Sequence, residues 1–284
     1  MPSFLSNEVF MNNTIFNVPL ITGKTNSTIV KISKLQNKKY RNEEKLFICD
    51  GIKLFLEAVS FDAKIKYVVL NNNTEFDNNI INKINDLVAN GTILLCVEDY
   101  IFDKLTTENA PQGIITVCEY LYNKHSFSNE INCNNKDEKI MILQSVRDPG
   151  NMGTILRNAV AFGIDRLVIS SDCADIYSQK VIRSSMGAIF KLNITVCDNL
   201  NAAVISLKKQ GRRVLGAALR KDSLTLGKDK ITSSDVLVLG NEGHGISDEI
   251  LDTCTDTLFI PMKENTESLN VAIAAAILMW EISK

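Results

Sequence analysis

The chain has 284 residues, with 31 Lys and Arg against 33 Asp and Glu and a formal net charge of −2, so it is long enough for two domains and has no global attraction for polyanions. A nucleic-acid partner would have to be met by a local basic patch. Seven Cys without a C-x-x-C pair, and only two His (His125 and His244), argue against a disulfide framework or a zinc site and for reduced thiols in a cytoplasm. Residues 1–20 lack a basic stretch followed by a continuous apolar core, and the longest apolar run, 271–280, is about half a membrane span. Neither a signal peptide nor a membrane segment is expected.

In chain order, residues 1–20 are Asn-rich and mixed, and read as an extension. From 21 to 45 the chain turns basic: Lys24, Lys31, Lys34, Lys38, Lys39, Arg41 and Lys45 face only Glu43 and Glu44. Ile29, Ile32, Leu35 and Lys39 recur at helical spacing, with lysines on the other face. Such an amphipathic basic helix can track phosphates, and a merely solvated lysine face has the same signature. Strands are expected at 47–49, 67–70 and 114–117, and helices at 52–61 and 78–90, with Asp50-Gly51 as a turn; 93–97 is apolar, and 100–105 is short and mixed. This alternation makes a small α/β domain over 21–122. The polar stretch 123–139 is the natural linker.

From 140 to 284 strands and helices alternate in the manner of a mostly parallel sheet covered on both faces. Strands are expected at 140–146, 166–170, 194–197, 214–218, 236–239 and 257–260. Helices begin near Gly153, Asp175, Leu200 and Ser247, and the last runs over 268–283. The first strand leads into Asp148-Pro149-Gly150-Asn151-Met152-Gly153-Thr154-Ile155-Leu156-Arg157. Pro149 and Gly150 force a turn, and Asn151 is placed to cap the next helix. Arg157 lies one turn beyond Gly153 on the same face and leans back toward the loop. A polar loop with a cation above it, at a strand's carboxyl end, is where open α/β sheets bind ligands.

Two later stretches repeat the arrangement: Leu239-Gly240-Asn241-Glu242-Gly243-His244-Gly245, and Ile260-Pro261-Met262 followed by Ser268-Leu269-Asn270. The glycines allow backbone to approach a flat ligand, but neither a P-loop nor a G-x-G-x-x-G register is present.

In order and spacing these three stretches resemble the motifs of the SpoU family of RNA ribose 2′-O-methyltransferases, within the SPOUT superfamily. Arg183-Ser184-Ser185-Met186-Gly187 is similar to the family as well. Residues 31–61 and Pro111-Gln112-Gly113 resemble the L30e-like substrate-binding domain found ahead of many such catalytic domains, with Asp50 where the family usually carries Glu. The resemblance implies an α/β architecture in which a knotted (trefoil), mostly parallel-sheet domain follows a small L30e-like α/β domain. It implies S-adenosylmethionine (AdoMet) as cofactor and methyl transfer to a ribose 2′-hydroxyl. Gly240, Ile260 and Leu269 would then line the adenosine pocket with main-chain groups, and Ala218, Leu239 and Met262 would supply apolar walls.

RNA becomes the expected partner of Lys31, Lys34, Lys38, Lys39, Arg41 and Arg183, and a homodimer the expected assembly. The L30e-like domain favours 23S rRNA over tRNA. A non-catalytic RNA-binding or ribosome-assembly protein of the same fold is the alternative, against which the intact Asn151, Arg157, Glu242, Ser268 and Asn270 stand. Arg157 matches the family's catalytic arginine. A guanidinium holds its proton far above neutral pH, so it suits clamping a phosphate and stabilising the forming alkoxide better than acting as a base. By the same resemblance Asn151 orients Arg157 or the ribose, Glu242 pairs with Arg157 or caps a helix, and Ser268 and Asn270 hold the loop and contact substrate.

Overall fold

The computed structural model describes residues 11–133, 137–241, 243–263 and 268–284, and the chain divides into two compact units. The first runs to Tyr120 and takes in Tyr177–Gln179. Its elements are α1 (Asn12–Ile15), β1 (Leu20–Ile21), α2 (Ser27–Lys34), α3 (Lys38–Glu44), β2 (Leu46–Asp50), α4 (Ile52–Ser60), β3 (Ile65–Asn71), α5 (Asn78–Ala89), β4 (Ile93–Val97), α6 (Asp99–Leu105) and β5 (Ile114–Glu119). The sheet order is β1-β4-β3-β5-β2, parallel except where β5 pairs with β3 and β2. Val69, Ile48 and Val117 pack on one face against Ile32 and Phe102; Val68, Leu70 and Cys96 pack on the other against Phe55 and Ile84.

Two expectations change in this unit. The described part of the extension, residues 11–20, packs on the fold: Asn12 is fully buried, and its side chain donates to the carbonyls of Asn71 (2.8 Å) and Thr74 (2.7 Å). The basic segment is two helices rather than one. Asn37 caps α3, and Arg41, only 4% exposed, donates to the carbonyls of Leu35 (2.7 Å) and Gln36 (2.8 Å) just past the end of α2. Arg41 therefore closes a helix end and is withdrawn from any phosphate-facing surface.

The second unit comprises β6 (His125–Phe127), β7 (Ile140–Leu143), α7 (Pro149–Ala161), β8 (Arg166–Ser170), α8 (Gln179–Ser185, its first residue grouped with the other unit), β9 (Asn193–Cys197), α9 (Leu200–Lys209), β10 (Val214–Ala217), β11 (Leu224–Thr225), β12 (Val236–Leu239), α10 (Asp248–Thr253), β13 (Asp256–Phe259) and α11 (Val271–Ser283). Its sheet has the order β11-β13-β10-β12-β7-β8-β9-β6, and every pairing is parallel. All strand carboxyl ends therefore lie along one edge. The central strands β7 and β12 are buried at every position, as expected for a parallel sheet covered on both faces. On one face Ile140, Ile142, Val236 and Val238 meet Val204, Leu207 and Ile250. Gly153 allows α7 to lie close to α8: a Cβ there would overlap the Ser184 side chain and crowd the Val181 carbonyl.

The stretch expected to be a linker contains the edge strand β6, whose alternation was too short to register. Its His125 is 6% exposed, with Nε2 3.2 Å from the Ile189 carbonyl. Burial lowers its pKa from 6.5 to about 4, against the raising effect of the Ile189 contact and with a smaller lowering from Lys124. The folded state thus holds the neutral ring while the unfolded chain takes up a proton near pH 6.5. The associated stability is full above that pH and is lost as pH falls toward 4. The gap corresponds to up to about 3 kcal/mol. Urea unfolding of wild type and His125→Gln between pH 7 and 4.5 tests this: the stability difference between them should shrink on acidification, and parallel curves would refute it.

Candidate active site

Strand order reverses between β7 and β12. The chain proceeds outward from β7 through β8 to β9, while β12 lies on the other side of β7 with β10 beyond it. At such a switch point the loops at the carboxyl ends part and leave a crevice. The loops concerned are 144–148 after β7, 240–247 after β12 and 260–270 after β13.

The helix after β7 begins earlier than expected. Asp148, not Asn151, is its N-cap: the Asp148 side chain accepts the Asn151 N–H at 2.7 Å, and Pro149 occupies the first turn. Asp-Pro is a legible start signal, since proline lacks only an N–H that would be unpaired there anyway. Moving the cap to Asp148 frees the Asn151 side chain, whose Oδ1 accepts from Asn270 Nδ2 at 3.0 Å. Asn270 itself caps α11, accepting from Ala272 N (2.9 Å) and Ile273 N (3.3 Å). Two motifs 119 residues apart are thereby joined by one side-chain hydrogen bond. Nearby, Asn158 Nδ2 donates to the Ala272 carbonyl at 3.5 Å.

Arg157 is exposed on α7 and makes no hydrogen bond or ion pair with the described residues. A cation of α7 thus stands open to solvent beyond the loop, available to an anionic substrate. Glu242, the partner expected for it, lies outside the described residues. Ser268 is exposed, and Arg183 is exposed on α8.

The glycine turn after β12 closes on itself. Asn241 and Gly245 exchange main-chain hydrogen bonds of 2.9 Å in both directions, and Asn241 Oδ1 accepts from Gly243 N (2.8 Å) and His244 N (3.3 Å). A Cβ on Gly240 would overlap the Gly245 carbonyl, so the chain's own return already requires a glycine there. Leu239 also departs from expectation. Its side chain is buried in the sheet opposite Leu143, and its carbonyl already accepts Gln144 N–H at 2.8 Å, so it offers no open apolar wall. Ala218, Ile260 and Leu269 are half-buried, and Met262 is exposed.

On the other side of the motif loop, Asp172 collects Ser170 Oγ (2.6 Å), Ser145 Oγ (2.7 Å) and the Arg147 guanidinium (2.9 Å). Burial alone would raise its pKa, but these donors outweigh it and the net shift is downward, so Asp172 is held as an anion. Lys180 stands 3.9 Å from Asp148.

In the first unit Lys34, Lys38 and Lys39 are exposed and Lys31 is half-buried. Lys31 pairs with Glu44 at 2.6 Å; Lys34 and Lys39 flank the Tyr40 ring at 5.4 and 6.0 Å. The described residues hold no group of three or more His, Cys, Asp or Glu placed to bind a metal ion, and no described helix is long and apolar enough to cross a membrane.

Residues 138–280 match the SpoU rRNA Methylase family and residues 26–116 the MRM3-like substrate binding domain. A 23S rRNA (guanosine(2553)-2′-O)-methyltransferase of Bacillus subtilis, RlmP, is 30% identical over 262 residues, which is 92% of this chain and 98% of that protein. An AdoMet-bound rRNA methyltransferase from Sinorhizobium meliloti superposes with a TM-score of 0.81 at 28% identity, covering 93% of this chain and 96% of its own. An RNA methyltransferase of the TrmH family from Porphyromonas gingivalis, so described on its structure, superposes at 0.72 with 29% identity and coverage of 90% and 97%. The parallel sheet, the reversal of strand order between β7 and β12 and the joined Asn151 and Asn270 are thus features of a chain that belongs to the SpoU rRNA methylase family.

Proposed function

We infer that this chain transfers the methyl group of AdoMet to a ribose 2′-hydroxyl of 23S rRNA at the crevice between β7 and β12. The observation that carries this placement is the Asn270–Asn151 hydrogen bond, which brings the start of α11 to the start of α7 beside the glycine turn. The enzyme is an AdoMet-dependent RNA 2′-O-methyltransferase. The choice of 23S rRNA follows from RlmP, which matches along nearly its whole length.

Bound AdoMet supplies an electrophilic methyl on a sulfonium. The Gly240 turn with Ile260, Leu269, Met262 and Ala218 would hold it, and Leu239 would act only through the sheet behind them. Arg157, open to solvent on α7, meets the phosphate next to the target ribose and stabilises the oxyanion that forms as the hydroxyl loses its proton. The guanidinium keeps its own proton throughout; phosphate or water takes the one released. Asn151, held by Asn270, presents its amide to the ribose. Ser268 with Asn270 would hold the loop after β13 and contact the substrate, and Glu242 would pair with Arg157 or cap a helix.

The lysine face of α2 and α3 (Lys31, Lys34, Lys38 and Lys39) tracks RNA phosphates in the first unit, and Arg183 adds a contact in the second. Three further readings have support. β12 lies between β7 and β10, and α11 then returns to pack on α7, an order compatible with a trefoil knot. Along α11, Ile273 (54% exposed) and Trp280 (55% exposed) leave an apolar strip on the outer face, which fits a second copy of the chain in a homodimer. Seven free cysteines, of which only Cys133 is not buried, suit a reducing cytoplasm.

Transfer of labelled methyl to unmodified 23S rRNA and to bulk tRNA tests the activity: label in 23S rRNA is expected, and label in tRNA alone would overturn the substrate. Arg157→Ala should lower kcat by at least about 100-fold while AdoMet affinity and folding stay near wild type; methylation at wild-type rate would contradict its role. Replacing Lys31, Lys34, Lys38 and Lys39 with Ala should flatten the slope of log K against log salt by about 2 to 3 units. An unchanged slope would leave that face as a solvated surface.

A further inference from the structure

The end of β7 and the turn after β12 are laced together beyond what the sheet requires. Gln144 N–H donates to the Leu239 carbonyl at 2.8 Å, extending the β7–β12 ladder by one residue. The Gln144 side chain then grips the start of α10 in both directions: Nε2 donates to Ser247 Oγ at 2.9 Å, and Ser247 N–H donates to Oε1 at 2.9 Å. A second strap lies alongside, where Asn241 Nδ2 donates to the Ser145 carbonyl at 2.9 Å while its Oδ1 holds the glycine turn.

Two observations separate this lacing from ordinary surface packing. Ser247 is the N-cap residue of α10, yet its side chain makes no capping bond; the hydroxyl serves Gln144 instead. A serine cap typically stabilises a helix, and that contribution is forgone here. Ser145 sits at φ 55°, in the left-handed region. That conformation is unfavourable for an L-residue. It is held there by N–H donation to Ser170 Oγ (2.8 Å) and by Oγ donation to Asp172 (2.7 Å), besides the Asn241 strap. Strain of this kind persists where neighbours over-determine it, and it gathers at ligand sites. The Gln144–Ser247 pair is solvent-exposed, so it adds little to global stability and acts through geometry.

We propose that Gln144 is a positioning residue for the cofactor. By holding Ser247 it sets the 240–247 turn against the end of β7 and so aims the main chain that flanks AdoMet. The Asn241–Ser145 strap carries the same registration to the loop that bears Asn151. This rests on the cofactor placement given above, and the test separates the two.

In the full-length protein, Gln144→Leu should raise the Kd and KM for AdoMet about tenfold, with kcat within about twofold of wild type. Its Tm should stay within about 2 °C. Gln144→Glu, whose carboxylate can accept both the Ser247 N–H and the Ser247 hydroxyl, should recover most of the affinity. Leu269→Trp, which fills the proposed adenosine pocket, serves as the reference and should abolish AdoMet binding in calorimetry. Wild-type AdoMet affinity in Gln144→Leu beside lost binding in Leu269→Trp would overturn the positioning role alone. Unchanged affinity in both would overturn the cofactor placement and the role with it. A Gln144→Leu defect that Gln144→Glu does not recover, or one that follows a large fall in Tm, would make Gln144 a merely structural residue and overturn the proposal.

Discussion

The active site depends on β12 lying between β7 and β10. A parallel strand in that slot must end beside its neighbours' ends, because all hydrogen-bond ladders run in the same direction. The loops after β7 and β12 are therefore forced side by side, although about 95 residues of chain separate them. The slot is held from both sides. Val236, Leu237, Val238 and Leu239 are buried, and Arg213 at the start of β10 grips Asp235 with two hydrogen bonds of 2.9 and 2.6 Å. A buried carboxylate with a bidentate guanidinium partner tolerates little displacement, so the register of β12 against β10 is set before the catalytic loops begin.

From that placement the site follows by short steps. The Asp148 cap starts α7 early, which leaves the Asn151 side chain free to reach Asn270. Asn270 in turn caps α11, so one amide ends a loop, starts a helix and joins two motifs. Arg157 is left on the open side of α7. The arrangement separates tasks: the capping and strap bonds are satisfied within the protein's own chain, whereas the cation proposed for the chemistry has no partner among the described residues. This is the distribution that catalysis by electrostatic stabilisation requires, since a guanidinium already paired would have to be released before it could stabilise a new charge.

Much of this was legible in the residues. The alternation of apolar runs and helical patterns gives strands β8 and β12 residue for residue and the start of helix α9, because each is bounded by clear turn signals. What was not legible is non-local or two-valued. Asp148 and Asn151 are both good caps, and only the start of the helix at Pro149 decides between them. Arg41 belongs to a basic run by composition, but the break between α2 and α3 turns it inward to close a helix end. Gly240 invites a ligand by its type, but the return of Gly245 over it, a contact made within five residues, is a reason for a glycine that the motif alone does not show. β6 carries only three residues of pattern, so nothing local distinguishes it from a polar connection, and its pairing with β9 is what makes it a strand. The straps at Gln144 and Asn241 are of the same kind: each residue is ordinary alone and acquires a role from partners about a hundred positions away.

The central claim is that AdoMet binds at the carboxyl ends of β7, β12 and β13, and amide chemical-shift mapping of the full chain on titration with AdoMet tests it most directly. The account predicts that the large shifts fall in 144–151, 239–247 and 259–271, with the sheet's opposite edge and the lysine face of α2 and α3 unmoved. Saturable binding with its shifts elsewhere, or no shifts at all at millimolar AdoMet, would contradict it.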